Sequence, residues 1–204
     1  VAAVGAWLAR VAMAVPLGPT VEKIDPFTIG DPWRRMVVDA QQARSRFQQT
    51  VTRTRSGPLR ERLEEVGRRI DDGVRECWRI AVQGDALEGA YKQLDVRSVE
   101  AELAEIDSTG YSQEATERTR RALQSQLDSA ERIATVARDA RDRLRVLNAQ
   151  MDEAVARAVE LSVSTVTDAS AVRPLTDEVE SLVGDLEALR QGMEEATSAR
   201  PMPG

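Results

Sequence analysis

From Met36 onward, apolar residues return every three or four positions along most of the chain, the spacing of one face of a helix. Met36, Ala40, Ala43, Phe47 and Val51 make the first such stripe. Asp31 is placed to cap this helix, and Pro32 fits the first helical position, where its missing N–H costs nothing. Ser56-Gly57-Pro58 ends it and starts a second helix, striped by Leu59, Leu63, Val66, Ile70, Val74, Cys77 and Ala81. Gly84-Asp85 predicts a break, followed by a short helix with Leu87, Tyr91 and Leu94. Another short segment carries Val96, Val99, Leu103 and Ile106, and Ser108-Thr109-Gly110 closes it as a turn.

Neither Pro nor Gly occurs between Ser112 and Pro174. The spacing predicts one helix over 113–163, about 75 Å long at 1.5 Å per residue. Ala140, Leu144, Leu147, Met151, Ala154, Ala158 and Leu161 alternate in steps of four and three, a heptad seam that a partner helix must cover. The Ser-, Thr- and Val-rich stretch Ser162 to Ala171 predicts fraying or a turn. Pro174 opens a last helix whose seam is Leu175, Val179, Leu182, Leu186, Leu189 and Met193. Folding back antiparallel, it covers only about half of the long helix. The rest, Leu123 to Val136, calls for the first two helices or for a second chain. No stretch alternates with the period of a strand. The expected fold is all-α, an elongated helical bundle with a long coiled-coil hairpin. It divides into an apolar segment 1–17, a Pro-containing connector 18–31, a helical region 32–111, the hairpin 112–196 and a disordered tail 197–204.

Val1 to Leu17 is nearly all apolar, interrupted by Gly5, Arg10 and Pro16. It falls short of the roughly 20 apolar residues of a spanning helix, and Arg10 sits at its middle. A signal peptide is rejected, because a basic n-region is missing and Arg10 occupies the apolar core. Two readings stay open: a buried or interfacial helix, or the remainder of a membrane segment. Trp7 and Arg10 suit a membrane interface in either.

Composition removes most chemistry. The chain has no His and one Cys, so imidazole catalysis, His-containing metal sites and thiolate clusters are excluded. Cys77 falls on an apolar stripe, where a thiol acts as a small hydrophobe. Asp71 and Asp72 are adjacent on a helix and point apart, with no third metal ligand in view. No phosphate-binding loop, dinucleotide fingerprint or nucleophile elbow occurs. No catalytic, cofactor-binding or metal-ligating residue is therefore expected.

Charge adds one feature. Residues 1–83 carry 14 basic and 10 acidic side chains, whereas the rest of the chain is acidic and brings the total to −6. Positions 34–62 hold eight Arg against Asp39 and Glu61. Of these, Arg34, Arg35, Arg44, Arg46, Arg53 and Arg55 are the candidate contacts for anionic lipid or a partner. Beside an apolar terminus, such a run places the chain on the cytoplasmic face of a bacterial membrane; without one, in the cytoplasm. The competing reading is a solvated helix face that pairs with the acidic half. Nucleic-acid binding is disfavoured, because the whole chain is acidic and no recognised motif accompanies the run.

Gly18-Pro19-Thr20-Val21-Glu22-Lys23-Ile24-Asp25-Pro26-Phe27, Asp31-Pro32-Trp33-Arg34-Arg35 and Glu76-Cys77-Trp78-Arg79 resemble segments of uncharacterised helical membrane-associated proteins of high-GC Gram-positive bacteria. That resemblance implies membrane segments just before the connector and brings no known activity. In gross form the chain is also similar to the phage-shock family of membrane-remodelling proteins, but its connector and helix breaks depart from that pattern. The expected function is a membrane-associated coiled-coil scaffold or partner-binding protein without catalytic activity. It would act through its N-terminus and its seams, on a protein partner or as a homodimer. The alternative is a soluble helical adaptor or nucleic-acid-associated protein using helix 34–62.

Overall fold

A computed structural model describes residues 23–109, 114–164 and 169–198. These form a 3-10 turn (Pro26–Thr28), then α1 (Trp33–Arg53), α2 (Pro58–Gln93), α3 (Val96–Thr109) and α4 (Glu114–Val163). A second 3-10 turn (Ala169–Val172) leads into α5 (Arg173–Ser198). No strand occurs among the described residues. The protein is all-α, a helical bundle.

Helix ends follow local chemistry, with three departures from the sequence reading. Asp31 does not cap α1. Its carboxylate accepts from the side chain of Arg34 at 2.8 Å instead, and Pro32 stands at the cap position, so α1 begins at Trp33. Gly57 takes a φ of 150°, a conformation that side chains disfavour, and lets the chain turn into Pro58. The expected break at Gly84-Asp85 is absent, and α2 runs through it for 36 residues. A mid-helix glycine costs about 1 kcal/mol; here the vacant Cβ position is filled by the Trp33 ring. The real corner is at Leu94. Asp95 then accepts from the Ser98 backbone N–H at 3.2 Å and restarts the chain as α3. The third departure is at the C-terminus, where α5 carries helix through Thr197 and Ser198. The remaining positions of the expected tail, 199–204, lie outside the described residues.

α2 and α4 are the central antiparallel pair, with Glu88 beside Arg141 (3.6 Å) and Cys77 beside Asn148 (3.6 Å). α1 packs on both from one flank and α5 on both from the other. α5 returns antiparallel to α4, with Arg157 and Glu178 2.7 Å apart. Trp33, Phe47, Leu63, Ile70, Leu144, Met151, Leu175 and Leu186 are fully buried between these four helices. At roughly 1.5–3 kcal/mol for each large apolar side chain, this packing is the main source of stability.

The first half of α4 is thinner. The seam from Leu123 to Val136 was expected under the first two helices or a second chain. α3 covers its first part, continuing the lane of α2 along α4 and held by Asp107 to Arg120 at 2.8 Å, while its last part packs, as expected, against the core that the first two helices help form. Leu123 and Ala130 are buried there, while Ile133 and Val136 reach the main core. The molecule is thus a four-helix body with a two-helix arm.

Candidate functional site

Four of the six candidate arginines of the basic run stand in ion pairs. Arg34 and Arg35, on the first turn of α1, share Asp31 at 2.8 and 3.7 Å. Arg44 pairs with Asp71 of α2 at 2.5 Å and Arg46 with Asp152 of α4 at 2.5 Å. Those two pairs tie α1 to both central helices. Arg53, the last residue of α1, and Arg55, in the turn after it, form no ion pair among the described residues. The six arginines are spread along a helix of about 30 Å. Half-exposed pairs of this kind contribute about 0–1 kcal/mol each.

A different feature stands at the N-terminal junction. In the turn Asp25–Thr28 the Asp25 carboxylate accepts from the Phe27 backbone N–H at 3.1 Å, and the Thr28 N–H reaches the Asp25 carbonyl at 3.1 Å. Pro26 and Ile29 are buried, which fixes the turn to the bundle and leaves Phe27 83% exposed. Lys23 is exposed beside it in sequence, and the Arg35 side chain is 74% exposed on the next element. The apolar segment Val1 to Leu17, outside the described residues, joins the bundle here. The sequence offered one sign of this site, a lone aromatic in a connector with no helical period.

The seam residues lie where the two hairpin helices meet. Leu144, Leu147, Met151, Leu175, Val179, Leu182, Leu186 and Leu189 are buried, and Leu161, near the end of α4, is half-buried. Two polar groups of the interior had no counterpart in the sequence reading. Asn148 donates to the Met36 carbonyl at 2.9 Å and accepts from the Cys77 thiol at 3.6 Å, joining α1, α2 and α4. Glu76 is buried on α2 and accepts from Arg79 at 2.5 Å and from Arg190 of α5 at 3.0 Å. Arg190 also reaches Glu194 at 2.6 Å. Burial works against the Arg190 charge, but Glu194 and then Glu76 more than offset it and hold its pKa above the ordinary value.

Cys77 is not set up as a nucleophile. Burial first, and the neighbouring Glu76 charge second, push the Cys77 thiol up to about 12, so the thiolate needed for attack is absent near neutrality. Among the described residues no three His, Cys, Asp or Glu side chains gather as metal ligands. Two shallow, open surface depressions lie along Ser45 to Arg53, of about 260 Å³, and along Tyr91 to Arg97, of about 410 Å³. No described helix is long and apolar enough to cross a membrane.

Comparison of the chain with protein-family models, with curated proteins and with solved structures finds no match in any of the three.

Proposed function

We propose that this protein is a non-catalytic helical scaffold held at the cytoplasmic face of a bacterial membrane by its N-terminal junction. The observation that carries the reading is Phe27. A fixed turn holds a large apolar side chain in solvent, in the connector that follows the apolar stretch ending at Leu17, with Lys23 before it and Arg35 after it in sequence, both exposed. An exposed aromatic flanked by cations matches a bilayer interface, where the ring enters the headgroup layer and the charges meet anionic lipid. The four-helix body and arm then stand as a rod of about 75 Å for partner proteins, with the α4–α5 hairpin as a coiled coil.

Flotation with vesicles of phosphatidylglycerol and phosphatidylcholine tests this. The full chain floats, a shortened chain beginning at Asp31 does not, and Phe27→Ser weakens the binding. Equal behaviour of the full and shortened chains overturns the proposal. The reading as a nucleic-acid adaptor loses ground from the pairing of Arg44 and Arg46 with Asp71 and Asp152, which occupies the middle of the basic run.

A further inference from the structure

α1 buries one side of its length and turns the other to solvent. At about 100° per residue, Val38, Gln42, Ser45, Gln49 and Thr52 fall opposite the buried Ala40, Phe47 and Val51. Val38 is half-buried and the other four are exposed. The strip runs for about four turns without a charge, in a chain with 30% charged residues. Its second half borders the depression of about 260 Å³ lined by Ser45, Gln48, Gln49, Thr52 and Arg53.

Charge returns along one edge. Asp39 and Arg53 are exposed, and neither forms an ion pair among the described residues. They stand almost four whole turns apart, so they share that edge at a separation of about 21 Å. Within one molecule they cannot meet.

We propose that this strip is an interface between two copies of the chain, packed antiparallel about a two-fold axis near positions 45 and 46. A two-fold joins the same patch on both copies. In an antiparallel pair each edge meets its own counterpart in reverse order. Centred there, Asp39 of each copy faces Arg53 of the other, and both unpaired charges of both chains are satisfied. Gln42 comes opposite Gln49 of the second copy. A side-chain amide both donates and accepts, so identical strips can bond to each other. The depression beside Gln49 and Arg53 receives Gln42 and Asp39 of the second copy. Arg46 lies on the same edge at the axis, where two copies would repel, and Asp152 of α4 draws it aside at 2.5 Å. Parallel packing fails on charge, because it sets Asp39 against Asp39 and Arg53 against Arg53. One helix from each copy makes a small contact, of the kind that gives weak, reversible association.

The inference does not rest on the lipid reading, and it is tested on the full chain without lipid. Sedimentation equilibrium measures mass against concentration for wild type, Asp39→Arg, Arg53→Glu and the combined variant. All the changes are at exposed positions, and circular dichroism checks that helicity is kept. Wild type passes from monomer to dimer, each single reversal weakens this at least about tenfold, and the combined reversal restores it. Cross-linking under mild oxidation reads the direction, the buried Cys77 staying unreactive. Gln42→Cys chains mixed with Gln49→Cys chains form disulfides, whereas Gln42→Cys chains alone do not. Two copies of position 42 stand about 10–12 Å apart along an antiparallel pair, too far for a disulfide. Monomer mass up to millimolar concentration overturns the proposal. So does a dimer that ignores the single reversals, which would place the contact elsewhere, or one in which Gln42→Cys chains link to themselves, which would make the packing parallel.

Discussion

Gly84 and Trp33 compete for one volume: a Cβ at position 84 would lie 2.3 Å from two carbons of the Trp33 ring. Trp33 is completely buried, so the ring has nowhere to retreat. Gly84→Ala should cost roughly 1–3 kcal/mol by overpacking, although alanine is the better helix former. Gly184 and Gly192 on α5 have nothing within 4 Å of a Cβ, so the same change there should stabilise by up to about 1 kcal/mol. Urea midpoints of the three variants give the signs. A stabilised Gly84→Ala protein would refute the close packing of α1 on α2.

Cys77 supplies a pH dependence. Its folded pKa of about 12 lies above the value of 9.0 for a free thiol, so folding favours the protonated form. The contribution is complete below pH 9 and is lost as pH rises from there toward 12, because the unfolded chain can then release a proton that the folded chain holds. Wild type should lose urea resistance between pH 8 and pH 10.5, and Cys77→Ala, though less stable throughout, should lose less over the same interval. Parallel pH profiles for the two proteins would show that the thiol is not buried as described. Thiol reagents at pH 7 should react with wild type only as fast as the bundle opens.

The helices and their buried stripes were legible in the sequence because each stripe is a local pattern. Met36 to Val51, Leu63 to Ala81 and Leu175 to Met193 repeat every three or four residues whatever they pack against. What covers a stripe is not local. Nothing near Leu123 says that α3, fourteen or more positions earlier, lies over it. Gly84 was misread for the same reason. Alone, the residue weakens a helix, and its compensation is a tryptophan 51 positions away in the chain. The arginine run illustrates the limit for the candidate site. Its composition left two readings, a surface for lipid and a face that pairs with acidic groups; that Arg44 and Arg46 pair with Asp71 and Asp152 in particular is something only the fold supplies.

Glu76 and Glu180 offer a matched pair of ion-pair tests between α2 and α5. The Glu76 side chain is 9% exposed and meets both Arg79 and Arg190, whereas Glu180 is 55% exposed and meets Arg69. Glu76→Gln leaves Arg190 facing a neutral group in a half-closed site and should cost about 2 kcal/mol, below the range for a fully buried pair because both arginines retain solvent. Glu180→Gln should cost at most about 0.5–1 kcal/mol, and less in 1 M salt. Double-mutant cycles with Arg190→Gln and Arg69→Gln isolate the two couplings. Equal couplings would mean that burial of Glu76 adds nothing.

The hairpin itself is tested at Leu182 and Leu186. Both side chains are buried between α5 and the central helices, and Gly184, between them, is exposed. Aspartate at both positions places two charges with no opposite partner in an apolar seam, at a cost of several kcal/mol. For a chain of this size, each kcal/mol moves the melting midpoint by about 2–4 °C, so the double variant should melt well below wild type, with α5 released first. Ala188→Asp separates the seam from helix propensity: it adds the same charge to the same helix at an exposed position and should change stability by no more than about 0.5 kcal/mol. Once α5 is gone, Arg69 and Arg157 lose Glu180 and Glu178 and the outer face of α4 is uncovered. Exchange over 144–161 should therefore rise, while α3 and the first half of α4, which α5 does not cover, keep wild-type protection. If the arm loses protection together with the hairpin, the two halves unfold as one unit and the division into body and arm is wrong.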